Sequence, residues 1–196
     1  MENKSYRSFT AEIRMEARED GKKPIIRGHA AVFNVIGDGG WFREQIRPGA
    51  FAHSIQSDDV RALFNHDSNL VLGRNTAGTL RLSEDDKGLA IEIDPPDTQL
   101  ARDLQILIER GDISQMSFGF QVLDESWSYS ENSEPDLRTL EKVKLWDVSP
   151  VTFPFYKETD VSIVKRSHDA WAQAQQPDES WKINLKRKKL NLKVGG

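Results

Sequence analysis

Within GDISQMSFGF (residues 111–120), one hydroxyl stands where a strand can present it to a reactant. Side chains on a strand alternate, so Met116, Phe118, Phe120 and Val122 share one face, and Ser117, Gly119 and Gln121 the other. The even-numbered face packs a core and fixes the backbone. Ser117 is then expected to be exposed on the opposite face, with Gly119 leaving room beside it. Glycine weakens a strand and often marks close approach by another backbone or a ligand. A rigid base, an exposed hydroxyl and a vacancy suit a nucleophile meeting a peptide. A surface serine on an amphipathic strand gives the same pattern.

A serine hydroxyl is a weak nucleophile at neutral pH and needs a base. Histidine is the natural one, since its side chain ordinarily titrates near ~6.5. Of the four histidines, His66 is the best placed. In VRALFNHD it shares a face with Val60, Ala62 and Phe64, at a strand end before a turn expected at Asp67-Ser68-Asn69. A hydrogen-bonded structural histidine fits the same position. His29 lies in mid-strand, His53 on a short helix and His168 in a linker, so each is weaker.

A third group must orient the imidazole and stabilise its cation. Asp147 in KVKLWDVSPVTF follows Val143 and Leu145 on one face, with Trp146 and Val148 on the other. A carboxylate in so apolar a strand costs several kcal/mol unless it is paired. A histidine N–H would satisfy it, and so would partial exposure at a strand end near Pro150. Asp67 is a rival, although strand neighbours point to opposite faces. For an oxyanion donor, a backbone N–H near Leu72-Gly73-Arg74 is a candidate.

Other chemistries find little support. The absence of cysteine removes disulfides, thiolate nucleophiles and thiolate metal sites. The histidines are scattered, without a close ligand pair, so no metal is expected. NTAGT lacks the lysine and helix of a phosphate-binding loop, and no cofactor is expected. The net charge of −4 over 196 residues gives no general basicity for nucleic acid. No apolar run approaches a membrane span, and MENKSYRSFTAEIRMEARED is too polar for a signal peptide. A cytoplasmic protein is the simplest expectation.

Strands must carry these groups. Residues 6–16 alternate loosely as one strand, and PIIRGHAAVFN reads as a second. RPGAFAHSIQS reads as a short helix. Ala77-Gly78 and Asp86-Lys87-Gly88 look like hairpin turns. After Pro95-Pro96, the spacing of Leu100, Leu104, Leu107 and Ile108 predicts a helix, capped by Asp97 or Thr98 and stopped by Gly111. Two long strands follow, at about 115–129 and through LRTLEKVKLWDVSPVTF. Few helices and many strands predict a β-rich mixed α/β fold, a barrel or strongly bent sheet with helices outside. Residues 1–163 form the expected domain, 164–180 a polar linker and 181–196 a basic tail. That tail reads as a solvated end or as a docking arm for an acidic surface.

Several stretches together resemble the prohead maturation proteases of tailed phages, serine proteases distantly similar to the herpesvirus assemblins. They are RGHAAVFN, EQIRPGAF, DDVRALFNHD with LGR and GTLRL, DKGL, GDISQMSFGF and LWDVSPVTFP, in order from about 27 to 154. The resemblance implies a closed, mostly antiparallel β-barrel surrounded by a few helices. It implies a histidine and a serine at His66 and Ser117, and an acidic third member at Asp147. The family pattern favours glutamate there, so aspartate is a departure.

The implied activity is that of a serine endopeptidase with catalytic Ser117, His66 and Asp147. Its implied substrates are the scaffolding domain or segment of the major capsid protein, and the protease itself. It would act inside the prohead in the host cytoplasm, and the dimeric assemblins make a homo-oligomer one expectation. A non-catalytic capsid-assembly or scaffold-binding protein on the same fold is the alternative.

Overall fold

A computed structural model describes residues 5–9, 13–18, 24–130, 134–153 and 161–175. The chain divides into two units, Met1–Asp160 and Val161–Gly196. The first holds both sheets.

The opening stretch is two strands, not one. β1 (Ser5–Phe9) and β2 (Ile13–Glu16) enter different sheets. β3 (Ile25–Val32) follows, then the glycine-rich turn with β4 (Gly37–Asp38), and β5 (Arg43–Ile46). Gly49, at φ +93°, lets the chain turn into α1 (Ala52–Ser57). β6 (Arg61–Phe64) and β7 (Asp67–Arg74) form a hairpin.

The turn at 75–78 does not make a second hairpin. β8 (Leu80–Glu84) leaves β7 and joins the other sheet, pairing with β9 (Gly88–Ile93). Between those two strands Asp85 accepts the amides of Lys87 and Gly88 at 2.9 Å each, the bonding of a tight Asx turn.

α2 (Gln99–Arg110) begins where Thr98 Oγ1 accepts the Ala101 amide at 3.3 Å, and ends at Gly111 with φ +80°. It buries Ala101, Leu104 and Ile108, one stripe of the periodicity. β10 (Gln115–Ser128) and β11 (Leu137–Val151) are the long strands that centre the larger sheet.

The seven-stranded sheet runs β1-β10-β11-β5-β4, with β6 also on β11 and β7 on β6. The four-stranded sheet is β2-β3-β9-β8, antiparallel throughout. Among the described residues neither sheet closes, which corrects the expected barrel. β11 pairs in parallel with β5 through Leu137–Leu140 and with β6 through Asp147 and Val148. Its second edge is thus shared by two short strands, and the sheet branches where a barrel would continue around. Shifts of register along β10 bend the pair it forms with β11.

Met116, Phe118 and Phe120 are completely buried, with the Phe51 and Phe118 rings edge to face at 5.4 Å. Burial of each such side chain contributes about 1.5–3 kcal/mol. A one-residue slip of β10 would lose all three and turn Ser117 into the core.

The second unit contains α3 (Val161–Ala174). Residues 164–174, expected as part of the polar linker, are helical. VSIVKRSHDAWAQA has no glycine or proline, and alanine, lysine, arginine and glutamine favour helix. The basic tail, 181–196, lies outside the described residues.

Candidate active site

His66 is not on a strand but in a turn. Phe64 pairs with Asp67, and the two residues between them, Asn65 and His66, have φ of +53° and +59°. Two-residue hairpins favour positive φ because that backbone matches strand twist. Asparagine tolerates it. Histidine does so at a cost of about 1–2 kcal/mol, of the kind stored at functional sites. Asp67, the rival carboxylate, instead accepts the amide and side chain of Asn69, at 2.8 and 2.9 Å.

The turn is clamped to the end of β11. Asn65 N donates to the Pro150 carbonyl at 3.0 Å, and the Asn65 side chain exchanges two bonds with Thr152. The strand that holds the turn also carries Asp147.

A bulge decides where Asp147 points. Along β11 the partners are Ser149 to Ser117, Asp147 to Gly119, then Leu145 to Phe120, so Trp146 is skipped. The extra residue resets the alternation. Leu145 and Val143 go with the core face of Phe120 and Val122. Asp147 and Ser149 join the face of Ser117 and Gly119. Simple alternation had Asp147 on the face of Leu145, and the bulge at Trp146 overturns that.

The three groups meet there. His66 Nε2 is 2.7 Å from Ser117 Oγ, and His66 Nδ1 is hydrogen-bonded to Asp147 Oδ1. Ser149 Oγ donates to that same carboxylate oxygen at 2.9 Å. An ionised carboxylate only accepts, which assigns the Nδ1 proton to this bond and leaves the Nε2 lone pair toward the serine. Asp147 is 1% exposed, and its pairing offsets the cost of a buried charge. The His66 side chain is 7% exposed, with the Tyr6 ring over it at a centroid distance of 4.4 Å.

Ser117 was expected to be open to solvent, but it is 0% exposed. β1 lies antiparallel on β10 with Ser8 opposite Ser117 and Tyr6 opposite Gly119. The Arg7 carbonyl oxygen, 2.8 Å from Ser117 Oγ, is a second acceptor for its one proton. β1 thus covers the edge of β10 that carries Ser117 and Gly119.

Other candidates are engaged elsewhere. His29 Nε2 is 2.8 Å from Asp85, and His53 Nε2 is 3.3 Å from Ser57 Oγ. His168 is in α3. The Arg74 amide donates to Thr79 Oγ1 at 3.0 Å, so it is not free to bind an oxyanion. Sequence reasoning missed Tyr6, Arg7, Asn65 and Ser149. Ser149 had a signal, two residues from Asp147 on a strand, and so did Asn65, a turn-forming residue beside the histidine. Tyr6 and Arg7 had none.

A serine hydroxyl against an imidazole, backed by a buried carboxylate, is the arrangement of a serine hydrolase. The family model of caudovirus prohead serine proteases matches residues 10–174, and the chain belongs to that family. It is a serine protease of phage capsid maturation, which decides against a non-catalytic assembly protein. Among solved structures it is similar to the bacteriophage T4 capsid assembly protease, gp21. That match has 12% identity and a TM-score of 0.49, covering 78% of this chain and 98% of that one. The curated proteins include no match.

Proposed function

We propose that Ser117 is the nucleophile, His66 the general base and acid, and Asp147 the group that orients the imidazole. The observation that carries this reading is His66 bridging the other two, with Nε2 2.7 Å from Ser117 Oγ and Nδ1 on Asp147. Ser117 Oγ bonds to the peptide carbonyl carbon as its proton passes to His66 Nε2. His66 then gives that proton to the leaving amine as the C–N bond breaks. Water, deprotonated by the same nitrogen, attacks the ester, and the proton returns to Ser117 as the new carboxyl end departs. Asp147 accepts the Nδ1–H throughout, holding one tautomer and stabilising the imidazolium.

The substrates are the scaffolding domain of the major capsid protein and the protease itself, cut inside the prohead in the host cytoplasm. Residues 1–163 are the protease domain. The connection after it leads to a basic tail, 181–196, that docks on an acidic scaffold. Co-production with the capsid precursor tests the chemistry. Wild type shortens the precursor and Ser117→Ala leaves it full length; normal trimming by the alanine variant would remove the assignment. Deleting 180–196 tests docking, and unchanged incorporation into proheads would end that part.

A further inference from the structure

β10 has two edges. β11 holds one, and β1 holds the other along the five residues that include Ser117. A peptide strand can align its backbone with β10 and bring a carbonyl to Ser117 only along the edge that β1 fills. The Ser117 hydroxyl already meets a main-chain carbonyl there, that of Arg7, at 2.8 Å. A hydroxyl has one hydrogen. His66 Nε2 at 2.7 Å and Arg7 O at 2.8 Å compete for it, so this seating holds back the transfer to His66.

The side chain of that residue is held as tightly as its carbonyl. Arg7 is 6% exposed, and its guanidinium grips Glu44 by two nitrogens, Nε on Oε1 and Nη2 on Oε2, the second at 3.0 Å. It lies 5.8 Å from the centroid of the Phe120 ring. Arg138, also buried, donates Nη1 to Glu44 Oε2 at 3.0 Å and its other nitrogens to Glu125. The charges of Arg7, Arg138, Glu44 and Glu125 sum to zero. Without Arg7 the remaining three leave one buried negative charge uncompensated, a state costly enough to demand a cation. The forked contact with both Glu44 oxygens suits a guanidinium better than an ammonium.

We propose that this edge of β10 is the peptide-binding groove, that β1 occupies it as the chain's own stand-in for substrate, and that Glu44 selects an arginine at the residue whose carbonyl meets Ser117. The proposal deepens, and rests on, the reading of Ser117 as nucleophile. A substrate enters by strand addition, with main-chain bonds to β10 for affinity and one buried side chain for specificity. β1 must leave first. Arg7 is the anchor that keeps it, and the enzyme stays closed until that strand is displaced.

The test uses the full-length Arg7→Ala variant and two synthetic peptides, SYRSF and SYASF. In this variant, amide exchange in residues 5–9 should quicken while β10 and β11 stay protected, and a fluorophosphonate should label Ser117 faster than in wild type. SYRSF should bind at least about tenfold more tightly than SYASF and suppress labelling, because the charge-assisted contacts to Glu44 are restored. Adding Glu44→Gln should abolish the preference. Equal affinity for the two peptides, or exchange in β1 no faster than wild type, would overturn the proposal. If Arg7→Ala does not fold, Arg7→Lys keeps the charge without the fork. Faster exchange in β1 is then expected, and unchanged exchange refutes the anchor. Labelling at a residue other than Ser117, with the peptide preference intact, would instead sink the nucleophile and leave the groove standing.

Discussion

Asn65 and Thr152 exchange two hydrogen bonds, side-chain Nδ2 to Oγ1 at 3.1 Å and Thr152 N to Oδ1 at 2.9 Å. They join the turn that carries His66 to the end of the strand that carries Asp147. The imidazole and carboxylate therefore move as one body, although 81 positions separate them. Asn65→Ala should lose about 1–3 kcal/mol, through both the positive φ and the missing bonds. Asn65→Gly keeps the backbone and loses only the bonds. Both should lower kcat, and thermal melts beside kinetics will separate the two causes. Full activity in Asn65→Gly would show the clamp to be irrelevant to catalysis.

Asp147→Asn should cut kcat by about 10⁴ while leaving the fold in place, because the amide no longer enforces the useful tautomer. Ser117→Ala should cost more, on the order of 10⁶. Turnover of the capsid precursor by each purified variant measures both. A loss of less than tenfold in Asp147→Asn would point to another carboxylate.

Ser54 lies under β11. Its side chain, 0% exposed, accepts the Leu145 amide at 2.6 Å and donates to Asp58. Ser54→Ala strands a buried N–H, which typically costs about 1–3 kcal/mol. Urea denaturation should show that loss, with kcat of the folded protein close to wild type.

Gly88→Ala should be the most damaging small substitution in the second sheet. A Cβ there would stand 2.0 Å from the Ala31 carbonyl oxygen, a backbone atom with no freedom to swing aside. The expected loss is about 3 kcal/mol or more, read as a collapse of the melting temperature.

The Asp59 carboxyl titrates low. A hydrogen bond from Arg74, with the charge of Arg61 adding to it, holds its pKa down to about 2 from an ordinary 3.8. A depressed carboxyl contributes stability that is complete above its unfolded value and is lost as pH falls through the folded one. That contribution should be full above roughly pH 4 and disappear toward pH 2. Carboxyl NMR shifts will follow it, and Arg74→Ala should return the midpoint toward 3.8. A midpoint unmoved by that substitution would dismiss the pairing.

Much of the local structure could be read directly. α2 has its periodic leucines, its Thr98 cap and its terminal glycine, and each appears where short-range rules put it. The alternation of Met116, Phe118 and Phe120 set Ser117 on the opposite face, as observed. His66 and Asp147 were singled out by type, each in an apolar stretch where an ionisable group needs a partner, and the structure brings them together. The turn at His66 was misplaced by two residues. Positive φ at a histidine is against its preference, and only the clamp to β11 imposes it.

Residue types and their two-residue or 3.6-residue rhythms depend on neighbours in the chain, and so they determined the elements and the chemical groups this protein has to work with. Pairing between distant segments decided the rest: the branch of the sheet at β11, the bulge that turns Asp147 toward Ser117, and β1 lying along the edge beside Ser117. Those outcomes depend on which strand edges remain unpaired and which buried charges need partners once the chain has condensed. Arg7 and Glu44 carry no mark of each other until that happens.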